Sequence, residues 1–291
     1  MNLTAEQQAL LPTDEDVEFY RQNGYYISKK LFSEQEIEDA VYGSERYYAG
    51  ERDFAVPAAV KPFEGWKPGD GDGLRINDYV SMQNRELWPL VLNPLLGAIA
   101  ARLSGSPAIR LWHDQMIFKP MDETGDKTCI GWHTDRAYWS TCTSDDMLTA
   151  WVPFHDCNEA MGPLMVIPGS HLWNANENLR EFHTNDESGL REMFETAGRE
   201  VKIVRFTLEA GQVSFHHCRT IHGSGPNRSP TPRHSLSIHL QDAPNRYREY
   251  RRNDGKLAWH RNDVLCRALS GQPDYTDPDF CPVLWQENGS N

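Results

Sequence analysis

The pattern of apolar and polar positions divides this chain near residue 108. Upstream, "TDEDVEFYRQNG" (13–24) reads as a helix capped by Thr13 or Asp14 and ended by Gly24. "YYISKKLF" follows as a short strand. "SEQEIEDAVYGSERYYAG" (33–50) reads as a second helix, opened by a Ser-x-x-Glu capping box. Residues 84–105 contain a third helix, with apolar spacing near 3.6. Between them, Pro57, Pro62, Pro68 and "GDGDG" exclude regular structure from 51–75. From residue 108 the texture is short strands between turns: "AIRLWHDQMIFKP", "LTAWVPFHD", "PLMVIPG", "VKIVRFTLE", "QVSFHHCRTIH" and "RHSLSIHLQ". There is no βαβ rhythm, so the expectation is a mostly β sandwich or jelly roll with flanking helices. A polar, partly helical insert (172–199) interrupts the strands. The expected organisation is one domain over 1–291: N-terminal helices in 13–105, a core over about 108–242, and an extension from 243 to 291.

The charge changes the picture mainly by exclusion. A formal net charge of −13 makes nucleic acid an unsuitable partner, since phosphate binding needs a concentrated basic surface. The one basic cluster, "NRYREYRRNDGK" (245–256), is interleaved with acids and amides and reads as a solvated face. The N-terminus lacks the pattern of a signal peptide, and no run of about 18 apolar residues offers a membrane span. Six scattered cysteines without a CxxC pair fit reduced thiols in a cytoplasm. The oligomeric state is not legible.

Candidate chemistry begins at "GWHTDRAYW" (131–139). In extended chain, residues i and i+2 share a face, so His133 and Asp135 can point an imidazole and a carboxylate at one spot. A second histidine from a distant strand would complete a facial triad, which suits non-haem Fe(II) oxygen chemistry; Zn²⁺ could take the same ligands with a water. "FHHCRTIHGSGPN" (215–227) offers His216, His217 and His222. The first two sit mid-strand on opposite faces, and His222 sits at the strand end, where sites collect. Downstream, alternation puts Arg233, Ser235, Ser237 and His239 on one face and His234, Leu236, Ile238 and Leu240 on the other. The polar face can line a pocket, with Arg233 placed to hold a carboxylate. A triad plus a dedicated arginine fits a 2-oxo acid cosubstrate.

With "FYRQNGYYISKKLFSEQEI", "WHTD", "GPLMVIPGSH" (162–171), "HGSGPN" (222–227) and Arg233, the chain resembles the phytanoyl-CoA dioxygenase family over roughly residues 15–240. The resemblance implies a double-stranded β-helix core and an Fe(II)/2-oxoglutarate- and O₂-dependent oxygenase. It implies His133, Asp135 and His222 as iron ligands. Arg233, eleven positions after His222, would bind the distal carboxylate of 2-oxoglutarate, helped by Ser224. Related halogenases carry Gly or Ala where Asp135 stands, so oxygen transfer is favoured over halogenation. Related enzymes also shape the substrate pocket with an aromatic at the position of Trp139.

Other residues are read from pattern. On 110–120, His113, Gln115, Ile117 and Lys119 share the face that can line the pocket. Gln115 or Lys119 could touch 2-oxoglutarate there, although Lys119 is expected to reach solvent at the strand end. Thr149 and Trp151 face inward. Tyr79, Trp112, Trp139 and the arginines of 246–252 suit a polar, carboxylate-bearing molecule. His171 is expected to hold two strands together through its turn. Residues 51–75, 172–199 and those after 241 are candidate lids. The expected reaction hydroxylates a small metabolite or natural-product intermediate, or demethylates, desaturates or cyclises it, and releases succinate and CO₂. A cupin-like metal hydrolase or isomerase, which would need no Arg233, and a non-catalytic metal-binding relative are the alternatives.

Overall fold

The computed structural model describes residues 2–287 apart from 59–64, 126, 175–178, 181–185, 196–197 and 253. Parts of the three expected lids, 51–75, 172–199 and the residues after 241, therefore lie outside the described residues. Helices α1 (Ala5–Gln8), α2 (Asp14–Asn23), α3 (Glu34–Tyr48), α4 (Leu87–Val91) and α5 (Pro94–Ser104) precede the main strands, with β1 (Tyr25–Lys30) and β2 (Arg75–Asp78) among them. Their ends follow the local chemistry. Thr13, not Asp14, caps α2, and its own N–H donates to Asp16 at 2.8 Å. Ser33 and Glu36 form the same box on α3. Asn93 caps α5, with Pro94 in its first turn and left-handed Gly105 at its end. Leu87–Ser104 would match a membrane-crossing helix by length and composition. Here it is divided between α4 and α5, and α5 lies in the core.

Ten strands follow. They are β3 (Ala108–Lys119), β4 (Ile130–His133), β5 (Leu148–Pro153), β6 (Leu164–Val166), β7 (Val204–Arg205), β8 (Gln212–His217), β9 (His222–Ser224) and β10 (Arg233–Asp242), then β11 (Ala268–Leu269) and β12 (Gln272–Pro273). A further strand, β13 (Val283–Gln286), ends the described chain; helices α6 (Glu187–Glu195) and α7 (Asn262–Leu265) lie between. The larger sheet runs β1-β8-β5-β10-β3-β13, with β2 also on β3, and the smaller runs β4-β9-β6-β7. Every pairing in both is antiparallel. This is the expected jelly roll. The outer face of the larger sheet carries Leu236, Ile238 and Leu240, which share one apolar cluster with Leu96, Ile99 and Leu103 of α5. Removing that face from water is the main stabilising term.

Three local results depart from the pattern reading. "QVSFHHCRTIH" is two strands rather than one, in different sheets. After His217 the chain turns, Thr220 N–H donating to the His217 carbonyl at 2.8 Å, and His222 joins the smaller sheet. The extension beyond 243 supplies β13, a strand on the edge of β3. His171 does not hold two strands together. Its Nε2 lies 3.0 Å from the Arg21 carbonyl in the last turn of α2, satisfying one of the carbonyls a helix end leaves open.

Gly24 ends α2 at φ +75°, and a Cβ there would lie 2.4 Å from His171 Nδ1 and 2.5 Å from Thr220 Oγ1. Gly24→Ala is expected to cost about 1–3 kcal/mol of stability, read as a lower urea midpoint with unchanged slope.

Candidate active site

The register of β10 assembles the site. His239 stands opposite His113 on β3 and Thr149 on β5, and Thr149 stands opposite His216 on β8. These four make one row across the interior of the larger sheet. The next row is Gln115, Ser237, Trp151 and Ser214, and Lys119 pairs with Arg233 further along. From the smaller sheet, His133 on β4 faces His222 on β9.

Asp135 opens a 3₁₀ turn immediately after β4, which brings its carboxylate back toward both histidines. His133 Nε2 lies 4.0 Å and His222 Nε2 3.6 Å from Asp135 Oδ1. The three ligand atoms all lie within 4.8 Å of one another. His133 Nδ1 is 2.7 Å from the Gly131 carbonyl, and His222 Nδ1 is 2.9 Å from the Thr220 carbonyl. A carbonyl only accepts, so each Nδ1 carries the proton and each Nε2 turns a lone pair toward Asp135. Burial pushes both imidazoles below their ordinary range. Burial would raise the Asp135 carboxyl, while positively charged forms of His222, His216 and His239 would hold it well below the usual carboxylate range, the part a bound cation takes when the imidazoles are neutral. Thr149 Oγ1 also donates to Asp135 Oδ2 at 2.6 Å. Two neutral imidazoles and one carboxylate form a donor set that fits Fe(II).

The other two histidines of that segment are separated by strand alternation. His217 turns outward, its Nε2 3.8 Å from Asp146. His216 turns inward, its ring 4.3 Å from that of His222. Its Nε2 comes within 3.4 Å of Asp135 Oδ2, without the alignment of a hydrogen bond.

Arg233 lies in the inner cavity that the triad borders, beside Trp151 and Leu164. It is 1% exposed, and its guanidinium carbon is 5.5 Å from the Trp151 ring centroid. It donates to the Gly162 carbonyl and weakly to Ser235, and its Nε has no partner. No carboxylate pairs with it among the described residues. Burial pushes it down to about 10. A buried cation without a counter-ion is costly, so this cavity calls for an anion, and the free end of 2-oxoglutarate fits.

Lys119 corrects an expectation. It does not reach solvent, because β3 runs on beneath the β9–β10 connection and leaves it 0% exposed. Its Nζ donates to Ser224 Oγ at 2.6 Å, the Gly225 carbonyl at 2.7 Å and the Ser224 carbonyl at 3.2 Å. All three ammonium protons are thus engaged, so Lys119 holds Ser224 in place rather than touching a ligand. Burial, then Arg233, lower it well below the ordinary lysine value. Ser224 keeps its own proton to donate into the cavity.

A second, outer cavity of about 280 Å³ opens beside the triad, walled by His113, His239, His260, Tyr138, Trp139 and Trp259. Gln115, His133, Asp135 and His239 border both cavities. Gln115 donates its amide to Asp78 at 2.8 Å, which ties it to the outer cavity rather than to Arg233. Asp78 is also ion-paired to Arg261. Trp139 lines this cavity as expected, whereas Thr149 and Trp151 lie in the inner one. Tyr79 does not line either. A left-handed φ of 55° turns it into a small apolar cluster, and its hydroxyl donates to Asn262 at 2.8 Å. Trp112, on the opposite face of β3, stacks on His260 with centroids 4.5 Å apart. Arg246 and Arg248 donate to main-chain carbonyls and stand outside the lining. Pattern reading missed Trp259, His260 and Arg261; the adjacent aromatic, imidazole and guanidinium of "WHR" were the signal.

The family model described as phytanoyl-CoA dioxygenase (PhyH) matches residues 20–235. The ectoine dioxygenase of Bordetella parapertussis is 28% identical over 235 residues, covering 75% of this chain and 72% of its own. The peroxisomal phytanoyl-CoA dioxygenase of Rattus norvegicus is 25% identical, covering 80% and 69%. The structure of the non-haem α-ketoglutarate-dependent carbocyclase SnoK from nogalamycin biosynthesis superposes with a TM-score of 0.69 at 24% identity, covering 94% and 96%; that likeness carries the fold. The chain belongs to the phytanoyl-CoA dioxygenase family. It is a non-haem iron, 2-oxoglutarate-dependent dioxygenase, using Fe(II), 2-oxoglutarate and O₂.

Ser224→Ala would leave a buried Lys119 donor without its partner. The expected loss is about 1–3 kcal/mol of stability, measured by urea unfolding of the metal-free protein.

Proposed function

We propose that His133, Asp135 and His222 hold Fe(II), and that Arg233, with Ser224 donating, holds the distal carboxylate of 2-oxoglutarate. The chain would act as one catalytic domain on a small polar metabolite seated in the outer cavity. The observation that carries this reading is Arg233: a buried guanidinium without a counter-ion among the described residues, in the same cavity as the triad. A metal hydrolase would have no use for it. The bound iron and cosubstrate supply the oxidising chemistry, with succinate and CO₂ released and a hydrogen removed from the substrate. The protein's own residues orient and exclude. Thr149 fixes one oxygen of Asp135, Trp151 and Leu164 keep water from the cosubstrate site, and Trp139 walls the substrate side.

Hydroxylation is the proposed outcome; demethylation, desaturation and ring closure begin with the same hydrogen removal. A net charge of −13 supports a substrate that is neither nucleic acid nor membrane-bound. Six free thiols among the described residues support a cytoplasmic setting.

The test is an anaerobic titration with Fe(II) and then 2-oxoglutarate, following the visible charge-transfer band of a metal-chelated 2-oxo acid. The wild type is expected to show the band. Asp135→Ala is expected to weaken Fe(II) binding by more than the about 10–100-fold typical of supporting groups. Arg233→Ala is expected to bind iron normally and to need at least about 30-fold more 2-oxoglutarate. Iron binding without a band would overturn the cosubstrate assignment.

A further inference from the structure

Thr149 Oγ1 has two close neighbours and one proton. It lies 2.6 Å from Asp135 Oδ2 and 2.8 Å from His239 Nδ1. The carboxylate can only accept, so the hydroxyl proton goes to Asp135. The contact with His239 then needs a proton from the other side, and His239 Nδ1–H supplies it. The ring has no direct anionic partner at hydrogen-bond range: its distance to Asp135 is 4.0 Å. It is buried between His113, at 4.3 Å, and Trp139, at 5.1 Å between ring centroids. With the Nδ1 proton engaged by Thr149, the lone pair of the imidazole is on Nε2. No described residue hydrogen-bonds that atom, and His239 borders both cavities.

We propose that His239 Nε2 is the acceptor that selects and orients the substrate, taking a hydrogen bond from a hydroxyl on a compact ring. The donor sits at the junction of the cavities, so the ring carbons nearest that hydroxyl face the triad. This rests on the reading of His133, Asp135 and His222 as the metal site. The class follows from the walls. Tyr138, Trp139 and Trp259 offer flat aromatic faces, with Trp259 58% exposed at the rim. The imidazoles of His113 and His260 add further flat, uncharged surface. Among the described residues of the lining, Arg261 and Asp78 pair with each other, and the other carboxylate, Asp135, belongs to the triad. A cavity of about 280 Å³ is at the small end for ligand sites.

The test uses the full chain loaded with diamagnetic Zn²⁺ and 2-oxoglutarate, with ¹⁵N-labelled histidine. Long-range ¹H–¹⁵N correlations read the tautomer of His239, assigned by its loss in His239→Gln. The expected result is a proton on Nδ1 and a bare Nε2. Thr149→Val should release the ring to the other tautomer and Thr149→Ser should restore it, which a merely structural threonine would not do. Cyclohexanol and methoxycyclohexane are then titrated in. The alcohol should shift the Nε2 resonance and bind about fivefold more tightly than the ether. A proton on Nε2 in the wild type would overturn the inference, as would the same response to both probes or to neither. His133 and His222 report the metal in the same spectra. Failure of the metal reading therefore shows at those two residues, and failure of this inference at His239.

Discussion

The site depends on the register of one strand. β10 is paired on both sides, to β3 and to β5, and its two faces have opposite jobs. Leu236, Ile238 and Leu240 lock into the helical layer, while Arg233, Ser237 and His239 face the cavities. A slip of one residue would exchange the two sets. Packing against α5 therefore does more than stabilise the fold. It sets where the guanidinium and the imidazole stand relative to Asp135, which comes from the other sheet.

That arrangement buries charge of both signs in one small space. Asp135 is 6% exposed and Arg233 1%. The carboxylate is surrounded by donors and imidazoles, so its ionisation is supported from within the protein. The guanidinium is not supported in that way. The asymmetry has a chemical meaning: one end of the cavity supplies a negative charge to a cation, and the other withholds a negative charge from a cation of its own. A molecule that joins the two ends, chelating at one and ionised at the other, relieves both. Lys119 stands beside Arg233 with its donors taken by Ser224 and Gly225, and burial and that neighbour hold it well below the ordinary lysine value.

Much of this could be read from the chain because the signals are local. The capping box at Ser33, the His-x-Asp pair and the alternation of β10 each depend on neighbours within a few residues. What could not be read depends on contacts distant in sequence. Lys119 looked like a strand-end lysine because nothing nearby reveals that 224–225 lies over it. Tyr79 looked available, but its backbone turns it inward. His216 and His222 seemed to share a strand, whereas the turn between them lets them approach from opposite walls. The identity of His222 as the partner of His133 and Asp135 came from resemblance; spacing alone left three candidates.

The division of labour along the chain has its own consequence. Every group at the metal and at Arg233 lies between residues 113 and 239, and the wall formed by Trp259, His260 and Arg261 lies beyond β10. During synthesis the triad and Arg233 therefore leave the ribosome before this part of the outer wall does. Over longer times the same separation lets residues 259–261 be exchanged while β13 stays paired to β3 and the triad and Arg233 keep their places.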